Sequence, residues 1–215
     1  MKIRKILSVP RSFVLNIKWF GWYGVKIPIL ISNNTKVGTV KKESLRIINP
    51  KTLGIQIGFG GTEGVIENKY SFFKVTGIIT FNGKAIISAG SSIRVDSGEL
   101  VIGNNFFCNK NCFISCSKKV IIGKDVLLGW NVNVRDNDGH TIYNDGYKNI
   151  QEKDVIIKDN VWLASYVDIL KGSIVSEGSV VGYRSCMSNR CFDEKNVLIL
   201  GNPAQVVKKN ISWRK

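Results

Sequence analysis

The stretch from Ile157 to Met187, IKDNVWLASYVDILKGSIVSEGSVVGYRSCM, carries an aliphatic or thioether side chain at every sixth position: Ile157, Leu163, Ile169, Val175, Val181 and Met187. Four residues after the first five of these come Val161, Val167, Ser173, Ser179 and Ser185, all small or β-branched. A helix needs apolar spacings of three and four, and a flat sheet needs alternation over longer runs than these turns permit. A period of six fits a three-sided solenoid. Each short strand turns one bulky side chain inward, the small residue fits the tight interior beside a corner, and stacked coils bury a continuous apolar column.

The same beat runs upstream through Ile122, Leu128 and Val134, then Ile102, Cys108 and Ile114, and more faintly Phe81, Ile87 and Ile93. Between these triplets the register slips, at VDSG (95–98) and SKK (117–119), as insertions at a corner would make it do. Glycine and asparagine in IGNN, IGKD, LGWN and VGYR supply the backbone freedom of sharp corners. About five coils fit between residues 81 and 190. The expected organisation is an all-β parallel β-helix over 51–200 with a loop at 135–156, preceded by a basic extension (1–50) and followed by a tail (201–215).

A chain of 215 residues with 22% charged and 44% hydrophobic residues is long and apolar enough for one main folded domain. Its formal charge of +15 is unevenly spread: the first 50 residues hold ten Lys or Arg against a single acid, Glu43. Such an excess suits a polyanionic ligand or an anionic membrane surface. Nucleic acid is not expected, because zinc-finger spacing, an RNA-binding sheet motif and a helix-turn-helix are all missing. The segment RSFVLNIKWFGWYGVKIPILI (11–31) mixes aromatic and aliphatic residues with Arg11, Lys18 and Lys26. These charges leave it too polar to span a bilayer but able to lie on one, so peripheral contact with an anionic membrane is expected. No secretory signal is read, which points to a cytoplasmic protein. Five cysteines without CxxC pairs are expected as free thiols, and no metal site is expected.

The hexads, the terminal VWLASYVDILKGSIVSEGSVVGYRS followed by GNPAQVVKKNISW, the RDNDGH loop (135–140) and IGFGGTEG (57–64) together resemble the hexapeptide-repeat acyltransferases. The likeness is to the maltose, galactoside and surface-polysaccharide O-acetyltransferase branch and runs from about residue 45 to 215. It implies a left-handed solenoid, a homotrimer and acetyl-CoA as donor, with a sugar of a surface glycan or its precursor as acceptor. Two readings stay open beside it: N-acylation of an amino-sugar nucleotide, and a non-catalytic β-helix binding protein. Carbonic anhydrases of the same solenoid type need three histidines at a metal, and this chain has one.

That single histidine, His140, falls where the hexad beat stops between Val134 and Ile157, on a loop extruded from the scaffold. An alcohol is a weak nucleophile until its proton is being removed, and imidazole suits that task near neutral pH. His140 is the expected general base, with Asp138 or Asp136 holding the other ring nitrogen. No GxSxG elbow is present, so direct transfer is favoured over a covalent relay, with Cys108 and Cys116 the weaker nucleophile candidates. The resemblance assigns substrate orientation to Asn109, or to its neighbour Asn111. It assigns donor contacts to Ala164, Ser165, Gly182 and Tyr183 along the pantetheine arm and to Ser188, Pro203 and Lys208 near the nucleotide. Trp130, just before the histidine loop, is a candidate wall for the acceptor sugar.

Overall fold

Every residue of the terminal hexad series is fully buried, and each stacks on its counterpart in the neighbouring coil. In the computed structural model, which describes residues 2–214, the strands form three parallel faces of a left-handed β-helix. One face carries the column Ile31, Ile57, Ile87, Cys108, Leu128, Leu163, Val181 and Ile199. The second stacks Val37, Phe73, Ile93, Ile114, Val134, Ile169 and Met187. The third stacks Ile47, Phe81, Ile102, Ile122, Ile157 and Val175. Sixfold spacing along the chain thus becomes a column along the solenoid axis. The small residues of the hexads, Val161 to Ser185, are buried beside the corners.

The solenoid begins earlier than the sequence boundary at residue 51. Strands Ile29–Ile31, Thr35–Val40 and Leu45–Ile47 already occupy the three faces and form a first coil. Six coils are complete, and a seventh closes with Val180–Val181 and Cys186–Met187 before the antiparallel pair Leu198–Gly201 and Ala204–Lys208. The first two coils escape the sixfold count for physical reasons: a register shift between Val37 and Val40, and a long corner excursion between Ile57 and Ser71.

Two helices, α1 (Lys2–Leu7) and α2 (Val9–Phe20), cover the open edge of the first coil. Asn16 acts on the strand edge as a peptide group would. Its Nδ2 donates to the Ile29 carbonyl at 2.7 Å, and its Oδ1 accepts the Ile29 amide at 3.1 Å. The Ser12 hydroxyl accepts the Ile31 amide at 2.9 Å. Trp19 then plugs the apolar column against Phe73, 6.2 Å between ring centroids. An exposed edge with unpaired amides is a template for aggregation, and this polar helix face removes it.

Candidate active site

His140 lies on an arm that leaves the second face after Asn133–Arg135 and returns at Val155–Ile157. The arm is a two-stranded β-structure rather than an irregular loop. Lys153 N donates to Asp136 O, Asp138 N to Gln151 O, and the strands Tyr143–Asn144 and Tyr147–Lys148 pair antiparallel near its tip. His140 is exposed on it.

The carboxylates flanking His140 in sequence are engaged elsewhere. Asp136 is fully buried and accepts the backbone amides of Ser117, Lys118 and Lys119 at 2.7–3.0 Å. It nails the arm's root to the corner of the preceding coil, and among the described residues no ion pair joins it to His140. Asp138 forms an ion pair with Lys171 of the following coil, whose ammonium also donates to the Ile150 carbonyl. Among the described residues no ion pair joins His140 to a carboxylate, so Asp138 also serves the arm's base within the single chain. Lys171 was not singled out from the sequence, because a lone lysine in a glycine-containing corner carries no local signal.

Asn109 is buried and faces the excursion between Ile57 and Ser71. Its Oδ1 accepts the Thr62 amide at 2.9 Å and its Nδ2 donates to Thr62 Oγ1 at 2.7 Å. Asn111, with φ of 61°, is the left-handed corner residue, and it also binds the excursion through Asn68 N and Ile66 O. The two asparagines therefore clamp the 58–70 excursion onto the fourth coil, Asn109 through the IGFGGTEG segment and Asn111 through the residues that follow it. At the equivalent corner Asn131 keeps positive φ (56°), but the next two rungs are Tyr166 (60°) and Arg184 (57°). Bulky residues seldom adopt this conformation, and such strain gathers at functional sites. The Tyr166 ring meets Tyr183 edge-on at 5.5 Å, with Arg184 over both.

Beside this corner runs a groove of about 640 Å³. Gly129, Ala164, Ser165 and Gly182 give it small residues, and a Cβ on Gly129 would come within 2.7 Å of the Ser165 amide nitrogen and hydroxyl. Trp130, Trp162, Tyr183 and Trp213 supply aromatic walls, and Asn109 also lines it. Trp213 and Arg214 of the tail return to the solenoid here. The Trp213 indole donates to the Asn160 carbonyl at 2.9 Å and its ring packs 6.0 Å from Trp162. Four of the seven expected donor contacts thus meet in one groove with Trp130 and Asn109. Ser188, Pro203 and Lys208 are exposed and line no part of it, and neither do His140 and Asn111. A second groove, of about 510 Å³, lies at a different corner among Asn82, Lys84, Asn104 and Asp125, without aromatic walls.

Cys108 and Cys116 do not offer a nucleophile. Cys108 is buried and its hydrogen bond with Cys112, then burial, push its thiol well above the ordinary range. Burial, then the Asp136 carboxylate, push the Cys116 thiol up. A thiol held protonated in the core is inert.

No protein-family model matches the chain. It is 31% identical over 190 residues to an uncharacterized 24.8 kDa protein in the cps region of Klebsiella pneumoniae, covering 86% of this chain and 81% of that one. It is 41% identical over 124 residues to a polysialic acid O-acetyltransferase of Neisseria meningitidis, covering 57% of each chain. Among solved structures, the polysialic acid O-acetyltransferase OatWY superposes with a TM-score of 0.52 at 27% identity, covering 87% of this chain and 90% of that one. The chain belongs to the hexapeptide-repeat acyltransferases, within their O-acetyltransferase branch.

Proposed function

We propose that the protein moves an acetyl group from acetyl-CoA to a sugar hydroxyl of a surface glycan or its precursor, in the cytoplasm and as a homotrimer. The observation that carries this reading is the groove: aromatic walls over small residues, on the coils from which the His140 arm springs. A pantetheine arm is a narrow, largely apolar chain with two amides. It suits a slot whose small side chains leave backbone groups within reach. Ala164, Ser165, Gly182 and Tyr183 hold the arm, and Arg214, rather than Lys208, is the cation placed in the groove to pair with phosphate.

The acceptor hydroxyl gives its proton to the His140 imidazole as its oxygen forms a bond to the thioester carbonyl carbon. The carbon–sulfur bond breaks, and the protonated imidazole returns the proton to the departing thiolate. His140 is exposed, and among the described residues no ion pair joins it to a carboxylate, which supports a site completed by a neighbouring subunit. The exposed aromatic side chains Trp162, Tyr166 and Tyr183 along the groove's flank support the same assembly. Glycan acceptors fit the similarity to polysialic acid O-acetyltransferases.

Acceptor-dependent release of thiol from acetyl-CoA, screened across hydroxyl sugars, amino-sugar nucleotides and glycan precursors, tests the proposal. Release with hydroxyl acceptors is expected. Release with amino sugars alone would replace O-transfer by N-transfer, and failure to bind coenzyme A at all would leave a binding solenoid.

A further inference from the structure

The N-terminal helices are amphipathic in the reverse of the usual sense. A helix on the surface of a water-soluble domain buries its apolar stripe and shows its polar one. Here the inward face is Ser8, Ser12, Asn16 and Trp19, and the three polar residues are hydrogen-bonded or fully buried against the first coil. The opposite face, recurring every three or four residues, is apolar and open: Ile3 is 73% exposed, Ile6 68%, Leu7 64% and Val14 66%. The short 3-10 helix Gly21–Lys26 continues it with Trp22 at 86% and Tyr23 at 81% exposed. Ser8 between the helices keeps near-helical backbone (φ −92°, ψ −7°), so the stripe is not broken there.

From this we infer that the outward face of the N-terminal cap is a docking surface for an anionic lipid bilayer. Charge selects the occupant. Lys18 and Lys26 are exposed on the same elements, and the first coil adds exposed Lys36, Lys41, Lys42 and Arg46, with Glu43 the one acid in the first 50 residues. Arg11 is not available for this purpose, since its guanidinium donates to the carbonyls of Ser32, Asn33 and Thr35. A second copy of the chain would place this basic set against itself, whereas anionic headgroups neutralise it while the aliphatic stripe enters the acyl boundary. The indole and phenol at the stripe's end suit the headgroup level, having one apolar and one polar side. No helix among the described residues is long and apolar enough to cross a membrane, so the contact is peripheral. The inference does not depend on acyl transfer.

Flotation of the full-length protein with vesicles tests it, comparing phosphatidylcholine containing a third phosphatidylglycerol with phosphatidylcholine alone. Binding is expected only with the anionic lipid and should weaken as salt rises. Val14→Ser combined with Trp22→Ser should lower partitioning about tenfold or more, while Val207→Ser, an exposed apolar residue at the other end, should not. Circular dichroism confirms that each variant is folded. Thiol release with a soluble acceptor should be unchanged by these substitutions, which separates failure of docking from failure of catalysis. The inference is overturned if the wild type does not float with anionic vesicles or if Val14→Ser/Trp22→Ser floats equally well. It is also overturned if that variant lowers the mass of the native assembly, which would make the face a contact between copies.

Discussion

Asp136 shows how a single residue's role is decided by its partners rather than by its neighbours in sequence. Its carboxylate satisfies the amides of Ser117, Lys118 and Lys119 in a site with no exposure. Asp136→Ala would remove the charge-assisted bonds to those amides from a buried position, and we expect a loss of about 3 kcal/mol in denaturant unfolding. If Asp136 instead served the imidazole, the same variant would lose activity at unchanged stability. Cysteine reactivity gives a second check at this scale. Cys191 is exposed and should react with a disulfide reagent at once, whereas burial and Asp168 push the Cys186 thiol up and slow it. Cys108, Cys112 and Cys116 are buried and should be labelled only on unfolding, and Cys108→Ala should keep its activity. Rapid labelling of either Cys108 or Cys116 in the native protein would reopen a covalent relay.

The arm and the groove are elements whose presence was legible and whose construction was not. A break in a sixfold beat shows that something leaves the solenoid between Val134 and Ile157, because stacking fixes the phase on both sides of the break. The tether from Lys171 across to Asp138 depends on which coil lies next to which, and that is a property of the stack, not of the local sequence. The resemblance reaches the groove only through residues on the hexads and the turn beside them. Ala164, Ser165 and Gly182 sit at fixed phase, so their convergence follows from the period, while Trp213 lies beyond the last hexad and its return to Trp162 carries no periodic signal. Trp213→Ala should therefore weaken coenzyme A binding about tenfold by calorimetry, through loss of one aromatic wall, with about 1 kcal/mol or less of stability lost. Unchanged donor affinity would remove the tail from the donor site.

At the scale of the molecule, one apolar column with six complete coils carries the stability, and substitutions along it should be costly and similar. Ile114→Ala, in the middle of the second face, should cost about 2–5 kcal/mol in chemical unfolding. A value under 1 kcal/mol would mean that the column is loosely packed. The first two coils carry no sixfold beat, because the bulge at Val37–Val40 and the 58–70 excursion break it, and the first of them fell outside the expected 51–200 span, although the inward residues Ile31, Ile57 and Phe73 are as buried as any. The basic N-terminal quarter was legible as a charge excess, but only the fold shows that its helices turn serines and an asparagine inward and their apolar stripe outward.

The central claim is that His140 is the base of an acyl transfer whose donor lies in the groove. The most direct test compares acceptor-dependent thiol release from acetyl-CoA by the wild type and by His140→Ala, with coenzyme A affinity measured on both. The account predicts a fall in turnover of about 10²–10⁴-fold with donor affinity unchanged. Turnover within a few fold of the wild type would contradict it and move the chemistry off the arm.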